Sequence, residues 1–268
     1  MKNEWGDVRL STDAFDLTGK RALVIGAGAP AGRAIALALG EAGADLTVSS
    51  ITTDGDEVVR AKKVQSELTK MGRSAATVAT DVTLGTGVQV MVRQVAKDMG
   101  GIDILVNAPD LQLAKPAGAT SDVEWSKVLQ VNLSGVFYAC RAVGKEMLKQ
   151  DRGGRIINVT SILGERAIAN AAAYSAAHAG VHNLTRALST EWAAHGMTVN
   201  AIAQGWMQHT TLIGDPDPAE NKTVRFVPMK RAGTAEDLVA LAVFLASDSS
   251  GYISGQVLYV DGGLSTHL

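Results

Sequence analysis

From Lys20 onward the chain repeats one unit: a short apolar run, a glycine-containing turn, then an amphipathic helical stretch. This alternation constrains the fold more than any other feature. Strands are expected at Arg21–Gly26, Asp45–Ser49, Ala75–Ala79, Ile102–Asn107, Arg155–Val159, Val199–Ala203 and Val257–Val260. Helices are expected at Ala31–Glu41, Glu57–Met71, Gly87–Met99, as a pair within Asp122–Gln150, at Ala171–His195 and at Ala235–Ala246. Short β-rich runs alternating with helices predict an α/β fold, a doubly wound, Rossmann-like parallel sheet of about seven strands covered by helices on both faces. At 268 residues and 46% hydrophobic, the chain is long enough to bury the core that such a sheet requires. The polar stretch 1–16 reads as an N-terminal extension, and 17–268 as one domain. The irregular, proline-bearing piece Gln204–Gly233 reads as a lid or binding loop, because loops of that length in compact domains are seldom filler.

Several classes fall away on composition. Net charge is −2 with no block of like charge, which argues against nucleic acid. The lone Cys140 lies in an apolar helical run and excludes a disulfide framework. No run approaches the ~20 apolar residues of a membrane span, and the N-terminus lacks an apolar signal core, so the expectation is a cytoplasmic protein.

The chemistry concentrates in Ser161-Ile-Leu-Gly-Glu-Arg-Ala-Ile-Ala-Asn-Ala-Ala-Ala-Tyr174-Ser-Ala-Ala-His178. Positions i and i+4 share a helix face, so Tyr174 and His178 project together, with Ser161 thirteen residues upstream of the tyrosine. A hydroxyl, a phenol and a basic group form a candidate proton-transfer set. His178 and His182 are also an i,i+4 pair, but no acidic or cysteine partner has suitable spacing, so no metal is expected. His182 is expected to pack against the sheet or a neighbouring helix.

This segment resembles the Ser…Tyr-x-x-x-Lys active site of the short-chain dehydrogenase/reductase family, and the likeness extends over about residues 17 to 263. Its C-terminal part, from Lys230 to Gly263, matches without gaps. The resemblance implies a nicotinamide dinucleotide that carries a hydride, a tyrosine that gives or takes the proton, and a serine that orients the carbonyl oxygen. In the family a lysine holds the ribose and lowers the tyrosine pKa; here that position is His178. A histidine with pKa ~6.5 is mostly neutral at pH 7 and would do little to move a phenol from ~10. No lysine occurs between Lys149 and Lys222 to replace it. Asn132 matches the family's asparagine, which holds a helix kink and a relay water.

The cofactor motifs depart in the same way. In IGAGAPAGR, Gly26 and Gly32 match the family's phosphate-binding turn, which serves the pyrophosphate through backbone N–H groups and the helix N-terminus. Ile25 replaces a threonine, and Pro30 replaces the middle glycine and removes an N–H. Gly28 is available to compensate, and Pro30 is alternatively just the first helical residue. Ser50, in the run Ser49-Ser50-Ile51-Thr52, ends the second strand where an acid would mark NAD. Its absence leans toward NADP, with Arg33 as the nearest phosphate candidate. Asp81 matches the family's adenine-side aspartate, with helix capping as the alternative. Asn107 matches an asparagine of the fourth strand, followed by Ala108-Pro109-Asp110 where the family has Asn-Ala-Gly. Gln204 stands where the family has a proline.

The departures cluster where a dinucleotide would lie. The leading expectation is therefore a degenerate, non-catalytic subunit that pairs with an active homologue, its cofactor binding lost. The assembly would be a homo- or hetero-oligomer of family subunits, a tetramer by family habit, in a dehydrogenase system such as those acting on hydroxyacyl-CoA intermediates. The alternative is an active NADP(H)- or NAD(H)-dependent ketone or hydroxyacyl reductase using Tyr174 with His178. A third, a non-redox enzyme of the dehalogenase-like kind, fits less well, because such members carry arginine at the position of His178. Trp206, Met207, His209 and Phe226 in the lid suggest a partly apolar substrate pocket.

Overall fold

Four of the five residues of β1 (Arg21–Ile25) are buried, as a strand covered on both faces must be. The computed structural model describes residues 12–53, 55–212 and 224–266. After β1 come α1 (Pro30–Glu41), β2 (Asp45–Ser49), α2 (Gly55–Lys70), β3 (Ala75–Val78), α3 (Gly85–Met99) and β4 (Ile104–Asn107). The second half adds α4 (Asp122–Leu129), α5 (Gly135–Gln150), β5 (Gly154–Ser161), α6 (Ala172–Trp192), β6 (Met197–Gln204), α7 (Val239–Ala246) and β7 (Val257–Val260). The seven strands form one parallel sheet in the order β3-β2-β1-β4-β5-β6-β7. The fold is the doubly wound α/β sheet that the alternation predicts.

Each sheet face has its own core. On one, Ile35 and Leu39 of α1, Val64 and Leu68 of α2 and Leu245 of α7 pack on Val24, Leu46 and Val106. On the other, Val92 of α3, Val143 and Met147 of α5 and Val181 of α6 pack on Leu23, Leu105 and Ile156. Burying each such aliphatic side chain contributes roughly 1.5–3 kcal/mol, so the sheet is held from both sides rather than by helix propensity. Strand order reverses direction between β1 and β4, which opens a crevice at their carboxyl ends.

Three local features differ from expectation. The helix pair within 122–150 is one continuous path, joined by a π-helical turn at Gln130–Ser134 that carries Asn132. The last helix opens with a 3-10 turn, Ala235–Leu238, closed by a capping box between Thr234 and Asp237. The long helix from residue 172 ends at Trp192, and Ala193–His195 tightens to 3-10 before Gly196 turns left-handed. Most of the expected N-terminal extension lies outside the described residues; Phe15 stands edge-on to Phe244 of α7 at 6.1 Å. Of the expected lid, residues 213–223 also lie outside the described residues. Among the described residues, no helix is long and apolar enough to cross a membrane.

Candidate active site

The glycine turn is built by close approach. Gly26 has φ +87°, a region that favours glycine, and a Cβ there would run into the Ala108 carbonyl at the end of β4. A Cβ at Gly32 would strike the Gly26 carbonyl, so both glycines let α1 sit tightly on the sheet. Pro30 is the first residue of α1, following Ala29 as N-cap. Its missing N–H is one that a helix start leaves unbonded in any case, so the proline begins the helix without deforming the turn. Gly28 donates its N–H to Glu57 Oε1 at 3.2 Å, and Ile51 N–H reaches Glu57 Oε2 at 2.7 Å. Arg60 Nε donates to the Gly28 carbonyl at 2.8 Å. The first turns of α2 thus tie the glycine turn to the end of β2, and burial pushes the Glu57 carboxyl above its usual range.

A cavity of about 780 Å³ opens over this turn, lined by Gly28, Pro30, Arg33, Arg60, Lys63 and Asp110 among others. Arg33 is paired with Glu67 at 2.6 Å. The N-terminus of α1 and the cations Arg60 and Lys63 fit the phosphates of a dinucleotide, while Glu67, Asp110 and Glu236 line the same cavity. Sequence reasoning had only Arg33. Arg60, Lys63 and Glu67 lie at i, i+3 and i+7 on α2, one helix face, and that periodicity was the available signal.

The catalytic candidates meet at the far end of the crevice, beside a third apolar cluster that includes Val128, Leu163, Trp206 and Val227. Tyr174 is 2% exposed, and its ring lies 4.2 Å, centroid to centroid, from the His178 ring. The phenol donates to Asp110 Oδ1 at 2.7 Å. Burial first, and then the Asp110 charge, push its pKa well above 10, while the nearby Ser161 and Gln204 side chains pull the other way. Ser161, at the end of β5, also accepts from Leu163 N–H at 3.2 Å. His178 is 2% exposed and its ring nitrogens have no hydrogen-bond partner among the described residues. Burial lowers its pKa to about 4, so it is neutral at pH 7. The electrostatics are thus the reverse of a tyrosine beside an ammonium. A carboxylate sits on the phenol, and the i+4 neighbour is uncharged.

Asp110 is itself held. Gln112 Nε2 donates to its Oδ2 at 2.7 Å, and Gln112 Oε1 accepts from Thr211 N–H and Oγ1 at 2.7 and 2.9 Å. Asn132 exchanges two 2.9 Å bonds with the backbone of Leu111, fixing the segment that carries Asp110. Asn132 therefore supports the site and does not line it.

The remaining predicted residues are placed less directly. Ser50 is fully buried and donates to the Thr52 carbonyl at 2.6 Å. Asp81 accepts from Thr83 N–H and Oγ1 at 2.9 and 2.7 Å, a local turn and not a cap on α3, whose N-cap is Leu84. Asn107 is buried, and its Nδ2 donates to Asn158, whose own Nδ2 donates to Thr185. His182 meets Thr160 of β5 at 3.0 Å, as packing against the sheet requires.

A family model described as enoyl-(acyl carrier protein) reductase matches residues 26–265. Over 94% of this chain and 97% of its own, a 2-dehydro-3-deoxy-D-gluconate 5-dehydrogenase of Dickeya dadantii is 34% identical. The chain belongs to the short-chain dehydrogenase/reductase family. A 3-oxoacyl-[acyl-carrier-protein] reductase of Staphylococcus epidermidis is 35% identical over 91% of this chain and 98% of its own. The structure of a gluconate 5-dehydrogenase from Burkholderia cenocepacia, in complex with NADP and tartrate, superposes with a TM-score of 0.87 at 31% identity, covering 96% of this chain and 99% of that one. These relatives are dehydrogenases and reductases. They support an oxidoreductase of the family and favour the active alternative over the leading expectation of a degenerate, non-catalytic subunit.

Proposed function

We propose that this protein is an NADP(H)-dependent oxidoreductase that interconverts a secondary alcohol and a ketone at Tyr174. The observation that carries the reading is the continuity of the site. The cavity over the glycine turn, lined by Arg33, Arg60 and Lys63, ends at Asp110, which touches the phenol. When bound, the nicotinamide would accept or supply the hydride. The N–H groups from Gly26 to Ala29 are engaged within the protein, so the N-terminus of α1 would face the pyrophosphate, and Arg60 and Lys63 would hold the additional phosphate. Ser161 and Gln204 orient the substrate oxygen toward Tyr174. Neutral His178 offers a ring nitrogen to a hydroxyl, a partner it otherwise lacks among the described residues. The same reading has the chain working in the cytoplasm with homologous subunits, through the half-exposed face of Leu133, Phe137, Tyr138 and Leu184. The relatives include dehydrogenases of sugar acids and reductases of acyl groups, and both classes belong in a substrate panel.

The test is a fluorescence titration with NADPH and NADH. Micromolar NADPH binding, tighter than NADH, is expected. Lys63→Ala should weaken NADPH about tenfold or more while sparing NADH, as loss of a charge-assisted contact worth ~1.5–3 kcal/mol implies. No binding at millimolar concentration by a folded protein would refute the proposal. It would favour instead the non-catalytic subunit, a reading with one feature on its side: the carboxylate that covers Tyr174.

A further inference from the structure

The active site poses a problem that its own residues answer. A buried phenol with no cation beside it among the described residues is poorly suited to act by way of a free tyrosinate, because ionisation is opposed by both burial and the neighbouring carboxylate. The phenol nevertheless already donates to a carboxylate at 2.7 Å, the distance of a good O–H···O⁻ bond.

We infer that Asp110 is the terminal proton acceptor of the reaction, with Tyr174 as a relay. In the direction of alcohol oxidation, the substrate hydroxyl gives its proton to Tyr174 Oη as the phenol's own proton passes to Asp110 Oδ1. The O–H bond of the alcohol breaks, the phenol exchanges one O–H bond for another, and a carboxylic O–H bond forms on Asp110. Balance requires an acceptor for the hydride of the substrate C–H bond, and the oxidised nicotinamide of the proposed function would be that acceptor. The carbon is oxidised and no tyrosinate forms. Ketone reduction runs the same path backward and starts from protonated Asp110. The inference rests on the proposed function.

The surroundings suit this role. Asp110 is only partly buried, so the proton it collects can leave to water. Its second oxygen is held by Gln112, which Thr211 orients in turn, and its backbone neighbour Leu111 is pinned by Asn132. The titratable groups that face it are Tyr174 and His178 on α6 and His209 after β6; Arg33, Arg60, Lys63, Glu67 and Glu236 lie round the same cavity. Both histidines are shifted toward the neutral form by burial, which leaves Asp110 and Tyr174 to handle the proton.

The experiment uses Asp110→Asn, with Asp110→Glu and Tyr174→Phe beside the wild type, and thermal unfolding to confirm the fold. The first readout is independent of turnover: tyrosinate absorbance followed against pH. The band that Tyr174→Phe removes should rise at lower pH in Asp110→Asn than in wild type, because the opposing charge is gone. An unchanged titration overturns the inference. The second readout is oxidation of an alcohol that the wild type turns over. Asp110→Asn should lose on the order of 100-fold in kcat, the scale of a general base. Asp110→Glu should restore part of the rate. Wild-type oxidation by Asp110→Asn overturns the relay and leaves the proposed function standing. Absence of NADPH binding in the wild type overturns both, so the two failures are distinct.

Discussion

Lowering the pH from 7.5 to 5 should destabilise this protein through its buried histidines, His178 first. Burial lowers the His178 pKa to about 4, with His182 adding to the effect and Asp110 opposing it. In the unfolded chain the ring titrates near 6.5. The folded pKa lies below the unfolded one, so the unfolded chain binds the extra proton between the two values. Stability is therefore full above pH 6.5 and lost as pH falls toward about 4. The gap is worth ~3 kcal/mol once complete, and ~2 kcal/mol of that should be gone by pH 5. Burial shifts His182 to about 4 as well, and His209 in the same direction. Against a typical domain stability of ~5–15 kcal/mol, these groups make a large difference. Ion-paired carboxylates do not blur the window, because Glu124 and Asp237 are held at about 2 and lose their contribution only below the unfolded carboxylate range. The assay is urea unfolding by tryptophan fluorescence at pH 7.5, 6 and 5, on wild type and His178→Leu. The variant should lose ~2 kcal/mol less than wild type over that range, whatever its stability at pH 7.5. Equal slopes for the two proteins, or a wild type whose midpoint does not move, would refute the assignment of a neutral buried His178.

Two further outcomes test the scaffold. Asn132→Ala removes both bonds to Leu111 and leaves a partly buried N–H and C=O unmet, which should cost ~2–4 kcal/mol. Faster exchange of the Leu111 amide would locate the effect, and an unchanged urea midpoint would count against it. Gly26→Ala forces a Cβ into a left-handed residue facing the Ala108 backbone, so it should lower stability by at least ~1–2 kcal/mol and weaken NADPH binding. A variant as stable as wild type would mean that the turn is looser than described.

Much of the fold was legible from Lys20 onward because its signals are local. A strand covered on both faces must be apolar throughout, a helix must turn an apolar stripe to the sheet, and Gly26 must stand where φ is positive. Tyr174 and His178 were legible together for the same reason, being one helical turn apart. Pro30 was the instructive case: its meaning depended on where α1 begins, and as the first helical residue it costs the turn nothing. The sequence also showed that the residue one helical turn after Tyr174 is a histidine and not a lysine, and that an acid follows β4 at position 110. It could not show that the two groups touch. Asp110 and Tyr174 are 64 residues apart and meet only because β4 and β5 pair in parallel with their carboxyl ends together, while Asn132 and Gln112 fix the loop between. Arg60 reaches the glycine turn, and Lys63 the same cavity, only because α2 packs back beside α1. Local periodicity determines which elements form. The long-range pairing of those elements, which no short window of sequence contains, decides which charge the phenol meets.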